Sequence, residues 1–116
     1  MRAAPSPSPD LDTFREHWQD EADAAFLYRV LAGFEHDPKK KHIYLELADV
    51  EDRHTKIWAA LLAENGRAVG PFRPTARTRL LATLGRWLGP GFLLPMLLAE
   101  EGREVKGYLN MHRGIA

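Results

Sequence analysis

Three stretches of the chain repeat apolar residues at alternating intervals of three and four, the pattern of helices that bury one face. In the first, Phe14, Trp18, Ala25, Tyr28 and Ala32 recur at this spacing, with no proline before about Glu35. Asp10 or Asp12 offers a short carboxylate to the free N–H groups of the first turn. Pro38 disfavours helical geometry at Asp37, so the helix is expected to end in "HDPKKK". The second stretch runs from about Lys39 to Asn65 and stops at Gly66, a residue suited to the left-handed position after a helix. A Gly-, Pro- and Arg-rich loop follows, then a short amphipathic segment with Leu80, Leu81, Leu84, Trp87 and Leu88 on one side. "GPG" at 89–91 breaks it, and the third long helix is expected over about Phe92 to Met111, with Pro95 in its first turn. No segment alternates as a strand does. The expected fold is all-α, an antiparallel helical bundle with three main helices.

Each long stripe carries ionisable residues where its period asks for apolar ones. The first reads Phe14, Trp18, Glu21, Ala25, Tyr28, Ala32; the second reads Tyr44, Leu47, Glu51, His54, Trp58, Leu61; the third reads Leu94, Leu97, Glu101, Glu104, Tyr108, Met111. A lone Glu in such a stripe commonly sits at the edge of the face, reaching water or an arginine. Glu101 has Arg103 at hand, and a slightly rotated third helix would present Glu100 with Glu104 instead. Three helices doing the same thing point elsewhere, because carboxylates converging on one interior repel one another unless a cation lies among them. Glu51 and His54, three apart, share a helix face and reach one site. The chain has no cysteine, which removes disulfides, thiolate ligands and thiol nucleophiles together. Imidazole and carboxylates suit iron or manganese, with zinc as a substitute.

The segments around these residues resemble a known family. A Glu on the first helix followed by E-x-x-H on the second is similar to the ferritin-like di-iron carboxylate proteins, and more closely to rubrerythrin-type domains. "WQDEADAAFLYR" looks like their first-helix motif and "YLELADVEDRHTKIW" like their second. "FLLPMLLAEEGREVKGYL" resembles the third helix of the version fused to a vacuolar-iron-transporter-type membrane domain. The resemblance implies that Glu21 is a terminal ligand, Glu51 a bridging carboxylate and His54 a nitrogen ligand. It implies further that Glu101 is the third-helix ligand and Glu104 the extra carboxylate of rubrerythrin-like sites. Tyr28 and Tyr108 would then hydrogen-bond ligating carboxylates. Two iron ions, or iron with manganese, would be held, and ferrous iron oxidised by dioxygen or peroxide, in the service of iron storage or export by a fused or associated membrane transporter. The family's fourth helix, with a second E-x-x-H, has no counterpart here. The chain is then expected to be a piece of a longer protein, or to complete its site by pairing as a homodimer, as encapsulated ferritins do. A non-catalytic metal-sensing or dimerisation module that regulates a transporter needs the same ligands and remains the alternative.

Charge adds two constraints. Sixteen acidic and sixteen basic residues balance, so nothing points to a nucleic-acid partner. Residues 67–99, however, hold five arginines and no acid beside the Leu/Trp face of the short segment. Such a segment either lies on an anionic membrane surface or caps the bundle end with its arginines in water. Residues 1–10 alternate Pro with Ser and Ala, lack the apolar core of a signal peptide and are expected to be a flexible leader before a domain over 11–116. A cytoplasmic setting follows, at the face of a membrane if a transporter is attached.

Overall fold

The computed structural model of the chain describes residues 10–99. Those residues are all-α and form four helices. Helix α1 covers Leu11–Phe34, α2 Pro38–Glu64 and α3 Ala76–Leu88. Residues 90–99 are helical as well and are called α4. Among the described residues no helix is long and apolar enough to cross a membrane.

The helix ends fall where local chemistry puts them. Asp10 caps α1, accepting from the Thr13 N–H at 3.0 Å and the Thr13 hydroxyl at 2.6 Å. Both bonds favour the charged form and hold the Asp10 carboxyl below its usual range. At the other end, Glu35 accepts from the Asp37 N–H, while Asp37 caps α2 by accepting from the Lys39 N–H at 3.0 Å. Pro38 occupies the start of α2, where its missing N–H removes nothing. Past α2 the chain closes a Schellman motif: Gly66 takes a φ of 79°, its N–H bonds Ala63 O, and the Arg67 N–H bonds Leu62 O at 2.8 Å.

Three residues connect α1 to α2, so the two run antiparallel and pack along their length. Partners climb one helix as they descend the other. Asp12 at the start of α1 pairs with Arg67 just past α2 at 2.7 Å, and Phe14 and His17 meet Trp58. Glu21 meets His54, and Arg29 meets Asp49 and Asp52. The interior is built on the second half of α1, with Ala25, Leu27, Tyr28, Leu31 and Ala32 packed against Tyr44 and Ala48 of α2. Leu81 and Ala82 of α3 and Leu93 and Leu97 of α4 complete it. Because α2 lies on one side of α1 and α3 with α4 on another, α1 buries more than the single stripe its sequence suggests.

The structure fixes which face α3 buries, and one expectation changes. The buried face of α3 is Thr78, Leu81, Ala82 and Gly85, leaving Leu80, Trp87 and Leu88 exposed. Small residues suit this contact: a Cβ at Gly85 would lie 3.1 Å from Cδ2 of Leu93, so any larger residue would push that leucine back by a few tenths of an ångström. The break between α3 and α4 is also shorter than "GPG". Gly89 alone leaves helical geometry, at φ 83°, and α4 begins by residue 90. Pro90 opens that helix, its fixed φ suiting the first position, and Pro95 therefore falls in the second turn. The expected leader lies outside the described residues.

Leu31 is fully buried at the junction of these helices. Leu31→Ala is expected to lower stability by about 2–5 kcal/mol, while Ile57→Ala at an exposed site stays within about 0.5 kcal/mol; denaturant titration compares them. Asp10→Ala should lower Tm at neutral pH. Because the folded-state pKa of Asp10 is depressed, its contribution is present above the unfolded value of 3.8 and disappears as pH falls through the folded one. Melting curves of the two proteins should therefore converge in acid.

Candidate metal centre

Two helices supply the site. Glu21 stands midway along α1, and the antiparallel register sets it opposite the turn of α2 that carries Glu51 and His54. One ligand atom from each of the three lies within 4.8 Å of the other two. His54 Nδ1 is 3.6 Å from Glu21 Oε1 and 3.9 Å from Glu51 Oε2. Both carboxylate side chains are about 15% exposed (15% and 14%), and Oε2 of Glu21 is buried; the imidazole is 47% exposed. The group thus has a walled side and an open side.

The spacing is informative. Separations of 3.6 and 3.9 Å are too long for hydrogen bonds. They match two ligands on one ion, since metal–ligand bonds of about 2.1 Å place neighbouring donors roughly 3–4 Å apart. The donor set of two carboxylates and one imidazole fits a borderline divalent cation.

What flanks the group isolates it. Toward the hairpin turn, Arg29 pairs with Asp52 and Asp49. Its pKa is raised, chiefly by the hydrogen bond to Asp52, with the charges of Asp52 and Asp49 adding to it against the effect of burial. Arg29 therefore offsets part of the aspartate charge on this stretch of α2, beside the turn that brings Glu51 toward Glu21 and His54. Toward the helix ends, Phe14 tilts against Trp58 at 5.3 Å and His17 stacks on the same ring at 4.9 Å. Trp58 is one turn beyond His54, so aromatic surface closes that end. His42 pairs with Glu46 at 2.9 Å on the outside of α2.

The chain matches no family model, no curated protein and no solved structure. Chemistry alone must identify the site.

Among the residues expected to form it, Glu21, Glu51 and His54 come together, and Tyr28 is fully buried two turns along α1 from Glu21. Glu101, Glu104 and Tyr108 lie outside the described residues, as does Glu100. The sequence pattern passed over one buried carboxylate, Asp23. It accepts from Gln19 Nε2 at 3.1 Å and from the N–H and hydroxyl of Thr75 at 3.3 and 3.0 Å. Thr75 is the N-cap of α3, bonding the Thr78 N–H, so Asp23 fixes the entry of α3 onto α1. No spacing in the sequence links positions 23 and 75; a Thr-x-x-Thr helix start is the only local trace.

Two carboxylates this close oppose folding of the metal-free protein. Glu51→Gln removes one charge, so in chelator it is expected to melt a few degrees above wild type, about 4 °C or more for each kcal/mol relieved. Added Mn2+ should reverse the order, since the wild type gains binding energy that the variant lacks. Identical responses of the two proteins in scanning calorimetry would show that Glu51 is not a ligand.

Proposed function

We propose that this chain is a metal-binding domain of the ferritin-like, rubrerythrin type, which takes up ferrous iron on Glu21, Glu51 and His54 and promotes its oxidation by dioxygen or peroxide. The observation that carries the reading is the convergence of two carboxylates and one imidazole, from two helices, within 4.8 Å of one another at a half-buried position. The all-α fold and the E-x-x-H pair on α2 support it.

Each residue has a distinct part. Glu21 and Glu51 supply the negative charge that favours a more highly charged product ion over its ferrous substrate. Glu51 is the bridging ligand if a second ion binds, and His54 adds a neutral nitrogen donor whose position at the open side leaves room for oxidant. Iron as substrate gives one electron per ion to dioxygen or peroxide, and protons from solvent complete the reduction to water. Manganese fits the same donors, with zinc as a redox-inert substitute. Glu101 and Glu104 are proposed to supply the remaining carboxylates, from this chain or a second copy, and Tyr28 and Tyr108 to orient ligands from behind. Such a domain would serve iron storage, or deliver iron to a transporter at a cytoplasmic membrane face.

The half-exposed imidazole favours a second reading. An open coordination side admits a ligand from a second copy as readily as an oxidant, which makes a metal-dependent association or sensing module that turns over nothing. Anaerobic loading with ferrous iron followed by air separates the two, because only an oxidase gives repeated rapid oxidation beyond the first filling. Glu51→Ala and His54→Ala should reduce bound iron and slow its oxidation by more than the tenfold or so that loss of an outer-shell partner produces. Unchanged stoichiometry and rate in both variants would refute the assignment.

A further inference from the structure

The strongest feature outside the metal centre is the outward face of α3. At 3.6 residues per turn, Leu80, Leu84, Trp87 and Leu88 share one side of this helix, while Thr78, Leu81, Ala82 and Gly85 make the side packed on the protein. Leu80 is 58% exposed, Leu88 62% and Trp87 85%. One exposed apolar side chain is ordinary, but a large indole with two leucines on one helix face is not. Arg79 and Arg86 border this face.

Charge is segregated to match. Residues 10–66 hold thirteen acids against seven bases, whereas residues 67–99 hold five arginines and no acid. The fold adds cations to the same end of the molecule. A groove of about 590 Å3 lined by Phe34, His36, Arg86, Trp87 and Leu88 shows that the α1–α2 connection lies against the C-terminal end of α3. The first turn of α2, with exposed Lys39, Lys40 and Lys41, follows directly from that connection. The two acids there, Glu35 and Asp37, are engaged in capping backbone N–H groups.

We propose that the Leu80–Trp87–Leu88 face of α3, flanked by Arg79 and Arg86 and with Lys39–Lys41 following the connection at its C-terminal end, docks on the surface of an anionic lipid bilayer. An indole and leucines entering the boundary between headgroups and acyl chains, with arginines and lysines reaching lipid phosphates around them, is the arrangement of an interfacial amphipathic helix. Long cationic side chains beside apolar ones keep their charges at the headgroups while their stems stay in contact with the chains. This inference stands independently of the metal centre, whose ligands lie on the other pair of helices.

The test mixes the full chain with vesicles of phosphatidylcholine alone or of phosphatidylcholine with phosphatidylserine. Co-sedimentation is expected with the anionic vesicles only, and to be reversed by salt. Trp87 emission should shift to the blue, and Trp87→Phe should remove that shift while leaving binding, because Trp18 and Trp58 are already packed on the protein. Arg79→Gln with Arg86→Gln should weaken binding at least tenfold, since each cation at an anionic surface contributes about fivefold. Lys39, Lys40 and Lys41 changed together to Gln should do the same without touching α3. Trp87→Glu should abolish binding with its circular dichroism and Tm unchanged. Absence of binding, or equal binding to neutral vesicles, overturns the proposal. So does a dimer in lipid-free solution that Trp87→Glu dissociates, because a second copy of the chain would then cover this face.

Discussion

Bringing Glu21 and Glu51 together on facing helices is unfavourable by itself, and the α1–α2 pairing must outweigh it. Apolar burial on either side does so. Toward the hairpin turn Ala25, Tyr28, Leu31 and Ala32 meet Tyr44 and Ala48, and toward the other end Phe14 meets Trp58. Small residues at Ala25 and Ala48 let the backbones approach, so the side chains between them are held at short range. A three-residue connection with a cap at each end leaves little freedom to slip the register by a turn. The closeness of the carboxylates at positions 21 and 51 is thus imposed by packing above and below, and a cation placed between them would relieve their repulsion.

Asp23 makes the contrast that gives this weight. It lies two residues from Glu21 on the same helix and is also withdrawn from water. Three donors, one on Gln19 and two on Thr75, converge on its oxygens. That carboxylate is satisfied in the ordinary way of buried acids, and its work is to seat α3. Glu21 is placed toward another carboxylate and an imidazole at ligand spacing. Two acids of similar burial on one helix therefore have different chemistry, decided by what the neighbouring element brings to them.

The sequence made some of this legible. Helix ends were readable because caps are local: Asp10, Asp37, Pro38 and Gly66 each act on backbone within a few residues. The Glu21, Glu51 and His54 cluster was readable because helical periodicity exposes a polar residue in an apolar stripe, and two such stripes meet once the hairpin is recognised. The seating of Asp23 on Thr75 was not, because a contact across about fifty residues leaves no periodic trace. The orientation of α3 stayed open between a membrane-facing and a bundle-capping face for a related reason. Its apolar face is the stronger one by composition, but Gly85 and Ala82 admit the close approach of α4, and tight packing of small residues took the interior.

A helix that turns Thr78, Leu81, Ala82 and Gly85 inward while showing Leu80, Trp87 and Leu88 to the outside leaves most of its large apolar surface out of the core. Such surface persists against the hydrophobic effect only where something other than water meets it in the protein's working state. Arg79 and Arg86 on the same helix, and the lack of any acid in residues 67–99, restrict what that partner is, since an anionic bilayer complements cations beside an apolar face. The Glu21, Glu51 and His54 cluster lies on α1 and α2, not on the helix that carries this face, so the two features can be altered separately.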